Sequence, residues 1–510
     1  VREAKNIGLS DIRLLRKELK MLSRSGRVHR NESGAFSYID ESSFLRGRVE
    51  SRGHLLHCQG FEIVHSAGLQ LRKGDEIEGF VQESKFVVNK ILELSGDSIV
   101  ASVEFVGSEV IAFSLNRNVK GRVYLRDSKI LGSTNLAVGD IVEVKLITKS
   151  RMGFVGELID KIKGHSVADL AIQTTLRNLD IPKSWPAEVK QMVEGFTQAI
   201  SPKEYLTRLD LTPLPFITID GETAKDFDDA VYAEPFKDGG WRILIAIADV
   251  GHYVTEGSPI DNEARNRGTS VYFPEFVVPM LPEELSNDRC SLVPGEDRLA
   301  IVCEVFLYPG PLEPYFEFHQ AIIRSKARTT YHQVEEYYSS HEFPGHVDAG
   351  VALSLDCLRD VYFILQRNRI ERGALDFSTS EALLELSSGS VVSIKKDERN
   401  DTHRLIEELM LLANVCAAKF LEENSKSFLY RNHESPDLLK WEQLRKSLAT
   451  LGISVDSGGL TPKTVQNLLS KIALHRRGEI YQHLVLKSLQ QAMYEPDKKG
   501  HFGLALNSYT

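Results

Sequence analysis

Between two apolar runs, Phe216-Ile217-Thr218-Ile219 and Ala230-Val231-Tyr232-Ala233, the chain reads Asp220-Gly221-Glu222-Thr223-Ala224-Lys225-Asp226-Phe227-Asp228-Asp229. The strand-like flanks anchor both ends, so this is not a flexible acidic tail. Crowded carboxylates repel one another unless a cation sits among them. Hard oxygen donors held between two buried strands suit magnesium, which keeps coordination positions for water and substrate phosphate. Two such ions can hold the attacking and leaving oxygens of a phosphodiester hydrolysis. A solvated acidic loop or a calcium staple remains as the alternative. An EF-hand loop is excluded, because its Asp-x-Asp-x-Asp-Gly order is absent.

At 510 residues the chain has room for several domains, at roughly one per 100–200 residues. No apolar stretch approaches the ~20 residues of a membrane-spanning helix. The five cysteines are scattered, with no Cys-x-x-Cys pair or zinc spacing, which reads as reduced thiols in a reducing, cytoplasmic setting. The net charge of −9 argues against a protein that coats nucleic acid indiscriminately. Residues 1–30 nevertheless carry nine Lys/Arg against three Asp/Glu, so a basic path for a polyanion is compatible with an acidic whole.

The expected architecture is multidomain α+β. Residues 1–40 read as a winged-helix-like unit, with Ile12, Leu15, Leu19 and Leu22 at helical spacing and a hairpin near Gly26–Arg30 and Phe36–Ile39. Short β-type runs then recur over 44–94 and 95–164. Two similar clauses, Leu71-Arg72-Lys73-Gly74-Asp75-Glu76-Ile77 and Leu136-Ala137-Val138-Gly139-Asp140-Ile141-Val142, each feed a turn into a strand. They suggest two tandem OB or cold-shock-type barrels, a class that commonly binds single-stranded nucleic acid. Few aromatics line these strands, so base stacking by them is not a firm expectation. From 165 a helical connector leads into one large mixed α/β region. In it Arg242–Val250 and Ala300–Tyr308 read as buried central strands. Residues 403–424 read as a helix with Leu405, Leu409, Leu412, Cys416 and Phe420 on its apolar face.

The aspartate run with its flanks, Ile219 to Val231, resembles the signature of the RNase II/RNase R (RNB) exoribonucleases. Further segments are similar to the same family: Ala246–Val254, Ser270–Pro274, Pro279–Pro282, Leu285–Asn287, Cys290–Leu292, His403–Glu408, Phe428–Arg431 and His501–Leu506. The resemblance covers roughly 165–510. The upstream layout looks more like RNase R than RNase II.

The resemblance implies a large mixed α/β catalytic domain over 165–510. It also implies a processive, hydrolytic 3′→5′ exoribonuclease that releases nucleoside 5′-monophosphates by a two-metal mechanism. Asp220, Asp226, Asp228 and Asp229 would hold magnesium, or alternatively manganese, with Asp228 the most selectively catalytic. Tyr272 and Phe377 would clamp the terminal base, and Tyr331 would touch RNA near its 3′ end. Stacking is worth ~1–3 kcal/mol per base and tolerates any sequence, which suits an enzyme that degrades all RNA. Without the motif match, both clamp rings would read as core aromatics. Glu407 and Glu408 read as packing or surface carboxylates as readily as ligands, and Arg431 as a structural ion-pair partner. The expected partner is single-stranded RNA or RNA with a 3′ overhang, bound by a monomer, with no membrane. The family continues into a Ser-Pro-Ile-Arg stretch and a C-terminal RNA-binding domain, so the chain reads as a partial one. The alternative is a non-catalytic RNA-binding relative.

Overall fold

In the computed structural model the described residues are 19, 28–30, 36–38 and 44–510. Within the last range, residues 53–54, 65–70, 72–73, 83–84, 94–97, 108, 116–121, 127–133, 151–152, 197–199, 275, 311–313, 344–347, 378–380, 398, 425–426 and 456–458 are not described. Val28–Arg30 pairs antiparallel with Phe36–Tyr38. Leu19 is helical, and the rest of the expected winged-helix-like unit lies outside the described residues.

The chain divides into two compact units, Val1–Lys183 with Ser387–Ser390, and Ser184–Leu386 with Val391–Thr510. The first contains two closed five-stranded barrels. One is built from Leu45–Arg52, Leu55–Cys58, Phe61–Val64, Glu76–Gln82 and Lys85–Glu93. The other comprises Ser98–Val106, Glu109–Ser114, Arg122–Leu125, Ile141–Ser150 and Gly153–Lys161. Leu55–Cys58 (Leu-Leu-His-Cys) carries no alternating polar–apolar pattern that would mark it as a strand from sequence. The repeated Gly-Asp clause has a shared structural meaning. Gly74 and Gly139 both take positive φ, at 96° and 86°. Each donates its N–H to a valine carbonyl, of Val49 or Val103. The same valine donates back to the following aspartate carbonyl, of Asp75 or Asp140. Glycine meets the positive-φ turn without steric cost.

The second unit is organised by a seven-stranded sheet. Its strands are β1 (Leu209–Asp210), β2 (Ile217–Asp220), β3 (Asp229–Phe236), β4 (Gly240–Ala248), β5 (Asp297–Leu307), β6 (Tyr315–Arg324) and β7 (Ala327–Thr330), in the order β1-β6-β5-β4-β3-β2-β7. Both β1 with β6 and β2 with β7 are parallel pairs; the other neighbours are antiparallel. Successive side chains take opposite faces, and both faces are covered. Val231, Ala233, Ile243, Ile245, Cys303 and Val305 pack against three helices, α1 (Tyr331–Ser340), α2 (Ala349–Arg372) and α3 (Asp401–Asn424). Ala230, Tyr232, Leu244, Ala246, Ala300 and Val302 form the opposite core with Val189, Ile260 and Leu285. Double coverage, rather than parallel pairing, makes β4 and β5 read as continuous apolar runs.

On α3, Leu405, Leu409, Leu412 and Cys416 are buried as the spacing predicts, whereas Phe420 is 41% exposed and touches Phe318 at a ring separation of 5.3 Å. Among the described residues no helix is long and apolar enough to cross a membrane.

Candidate metal and RNA site

Asp220 ends β2 and Asp229 opens β3. These strands pair antiparallel through Ile217 and Val231, so the eight-residue loop between them must turn at one end of the sheet. Its conformation is fixed by groups distant in sequence. Phe227 is buried under the sheet. Its N–H donates to Ser291 Oγ at 3.0 Å, and the same hydroxyl donates to the Lys225 carbonyl at 2.8 Å. Leu292 N–H donates to the Phe227 carbonyl and Ala248 N–H to that of Asp228, each at 2.9 Å. Arg328 donates to the carbonyls of Glu222 (2.6 Å) and Gly221 (3.2 Å), and its guanidinium lies 5.5 Å from the Phe227 ring centroid. The aspartates therefore stand on a backbone pinned from both sides.

The electrostatics are those of crowded, uncompensated carboxylates. Burial raises Asp229 to about 7, with Asp220 and Asp228 adding to the shift. Burial also raises Asp228, assisted by Asp226 and Asp220. Asp228 is at the same time accessible to solvent, so it stands at the open mouth of a site walled by protein. Asp220 is raised chiefly by burial, against the lowering pull of the Gly221 N–H it accepts at 2.6 Å. A divalent cation standing among the carboxylates would oppose each of these shifts. The donor set, all hard oxygens, fits magnesium. Among the described residues the aspartate oxygens do not themselves draw together into a three-ligand group within 4.8 Å; another cluster does.

Tyr331 joins this site through the sheet. Asp220 pairs with Thr330, the N-cap of α1, so Tyr331 begins the helix beside the aspartates. Its hydroxyl is pushed up to about 12 by burial, then by Asp220 and Asp229. Its ring stacks on His403, with centroids 3.8 Å apart and planes 20° from parallel. His403 is in turn held by Asn400, whose Oδ1 lies 2.5 Å from its Nδ1.

The two other aromatics differ sharply. Tyr272 sits on a hairpin of Val271–Phe273 and Phe276–Val278 and is 68% exposed. Phe377 is half-buried against a separate helical core containing Leu375, Trp441, Val465 and Leu468. Neither is paired with another aromatic ring among the described residues. The Phe377 segment is suspended by the Leu375 N–H on Gly503 O (2.7 Å) and the Asp376 N–H on Gln466 Oε1 (2.8 Å).

Glu407 and Glu408 are joined to the protein by arginines. Arg369 reaches Glu408 at 2.6 Å and Glu407 at 3.1 Å, and Arg399 also pairs with Glu407. Arg431 lies over the Tyr494 ring at 4.9 Å and makes no ion pair among the described residues, contrary to its sequence reading. Ser291, Arg328 and His403 were given no role from sequence. Ser291 and His403 lie within segments resembling the family, but nothing local marks a serine that will fasten a loop 64 residues away.

Residues 208–510 match the RNB domain family. Ribonuclease R of Escherichia coli (strain K12) is 34% identical over 97% of this chain, which spans 63% of that relative's length. The fold is similar to solved structures of Mycoplasma genitalium RNase R, one in complex with ribose-methylated single-stranded RNA and one with double-stranded RNA. The first has TM-score 0.77 at 25% identity and covers 91% of this chain and 76% of that one. The second has TM-score 0.76 at 26% identity and covers 82% and 75%. Yeast Ssd1, described as a pseudonuclease, shares the fold at TM-score 0.63 and 14% identity, covering 99% of this chain and 68% of its own. By its matched domain and its relatives, the chain belongs to the RNB-domain family, alongside the ribonucleases R.

Proposed function

We propose that this chain is a metal-dependent 3′→5′ exoribonuclease that hydrolyses RNA processively to nucleoside 5′-monophosphates. The observation that carries the reading is the aspartate loop, four carboxylates on a backbone held by Ser291, Leu292, Ala248 and Arg328. Crowding carboxylates on a rigid, partly buried loop is costly without a cation. Asp220, Asp226, Asp228 and Asp229 would hold magnesium, or manganese. Bound there, the ions would supply Lewis-acid polarisation of the phosphate and an activated water. The protein's own part is to hold the carboxylates in place and to orient the RNA end. Tyr331, stiffened by its stack on His403, lines the approach to the aspartates. Tyr272 offers an exposed face for stacking, and Phe377 a ring held by its packing.

We propose a winged-helix-like unit over 1–40, barrels over 44–94 and 95–164 of a class that binds single-stranded nucleic acid, and a catalytic region over 165–510. Relatives solved with single- and double-stranded RNA support RNA as the substrate class. We propose a cytoplasmic monomer acting on single-stranded RNA or on 3′ overhangs.

The second reading, a non-catalytic RNA-binding relative, draws on the shared fold of a protein described as a pseudonuclease. Fold alone does not give activity, so the aspartates decide. Asp228→Asn should reduce single-turnover hydrolysis of a 5′-labelled oligonucleotide by at least ~10²–10³-fold, the scale of a principal electrostatic group. Affinity for RNA should stay within a few-fold. Equal losses of binding and turnover, or full activity in excess chelator, would refute it.

A further inference from the structure

A second set of metal-ligand side chains lies on the sheet, apart from the aspartate loop. Glu304 on β5 pairs directly with Glu317 on β6, and Val302, two residues back, pairs with His319. With a period of two along each strand, Glu304, Glu317 and His319 therefore share one face. Their ligand atoms all lie within 4.8 Å of one another. His319 Nε2 is 2.7 Å from Glu304 Oε2 and 3.8 Å from Glu317 Oε2.

The second oxygen of each carboxylate is already engaged elsewhere. Arg242 Nε donates to Glu304 Oε1 at 2.5 Å, and its Nη1 donates to Glu234 Oε1 at 2.8 Å. Tyr232 donates to the other Glu234 oxygen at 2.8 Å. The Tyr315 hydroxyl donates to Glu317 Oε1. Hydrogen bonds of this kind orient first-sphere ligands in metal sites. Arg242 is shared between Glu304 and Glu234, so Glu317 faces only the Tyr315 hydroxyl and the His319 ring. Exposure grades across the set: the side chains of Glu304, His319 and Glu317 are 10%, 22% and 49% exposed. The cluster thus has a fixed floor and a rim open to an entering ion.

We propose that Glu304, His319 and Glu317 form a binding site for a divalent transition ion, zinc foremost, that clips β5 to β6. One imidazole with two carboxylates is a nitrogen–oxygen set that suits zinc and its first-row neighbours, and solvent can fill the remaining position. Magnesium, which prefers oxygen donors alone, would not compete for it. The site is independent of the aspartate loop and of its assigned chemistry.

The test is calorimetric titration of the whole chain with Zn²⁺ in millimolar Mg²⁺, with Co²⁺ absorption as a spectroscopic check on an imidazole-bound ion. One tight equivalent is expected, and it should raise the melting temperature. His319→Ala and Glu317→Gln should each remove that equivalent and the thermal shift. Tyr315→Phe should weaken binding about tenfold through the loss of its bond to Glu317. Asp228→Asn should leave the equivalent intact, which separates this site from the aspartates. Glu317 is at the rim, so its variant tests the proposal even where His319→Ala folds poorly. The proposal is overturned by an absence of Zn²⁺ binding in the wild type, in which case the cluster is a structural hydrogen-bonded group only. Retention of the equivalent in Glu317→Gln, or its loss in Asp228→Asn, overturns it equally.

Discussion

Arg369 couples the helical core to the Phe377 segment, and its removal has a calculable cost. Its guanidinium meets Glu408 at 2.6 Å and Glu407 at 3.1 Å, and donates to the Leu375 carbonyl at 3.3 Å. The Glu408 side chain is only 5% exposed, so Arg369→Met strands a carboxylate away from water. Breaking a buried pair from one side costs about 3–5 kcal/mol. Arg372 also interacts electrostatically with Glu408, and Glu407 retains Arg399. These two contacts reduce the expected cost to about 2–4 kcal/mol. At roughly 2–4 °C per kcal/mol for domains of 150–250 residues, the melting temperature should fall by about 4–16 °C. Glu408→Gln alone should cost less, because Arg369 keeps Glu407 and Leu375. The double variant should be more stable than Arg369→Met by at least ~1 kcal/mol, since no carboxylate is left buried without a partner. Urea unfolding followed by tryptophan fluorescence would measure all four corners of this cycle. A cost below ~1 kcal/mol for Arg369→Met, or a double variant no more stable than it, would refute the argument.

Tyr272→Ala should leave stability within ~0.5 kcal/mol, because the ring is exposed, yet lengthen the limit product on short RNA by losing ~1–3 kcal/mol of stacking. Phe377→Ala should change both product length and melting temperature, because that ring also packs on a core; unchanged products from both variants would remove the clamp. His501 is lowered to about 4, by burial first and then by neighbouring His433, and its Nδ1 accepts the Leu504 N–H at 3.1 Å. The unfolded chain therefore takes up this proton at higher pH than the folded one, so stability is complete above ~6.5 and declines toward 4. The loss at pH 5 should be about 1–2 kcal/mol after allowance for partial exposure, and His501→Asn should flatten the pH 5–7 melting profile. Gly79→Ala should destabilise the first barrel, because the new Cβ would lie 2.2 Å from the Val87 carbonyl oxygen; circular dichroism melting that matches wild type would contradict this.

Local pattern made much of this protein readable. The aspartate run was identifiable because two apolar strands bracket it, and the second-barrel clause because Gly139-Asp140 repeats Gly74-Asp75. Helix α3 followed from spacing alone, since helical periodicity is a property of consecutive residues. The family resemblance added roles for Tyr272, Tyr331 and Phe377, which spacing alone left as ordinary aromatics. Other features depend on which distant residues the sheet brings together. Ser291 fastens a loop 64 residues earlier, and Arg242 reaches a glutamate 62 residues later. Glu408 read as a surface or packing carboxylate as readily as a ligand, and α2 covers it with Arg369. Glu304, Glu317 and His319 converge only because the antiparallel register of β5 and β6 sets them on one face; a one-residue slip would turn one strand's side chains to the other face. The sequence by itself determined which segments fold into strands, turns and helices and where the carboxylates crowd. Strand register and helix docking decided which charges meet, because those contacts arise from long-range packing that no local window contains.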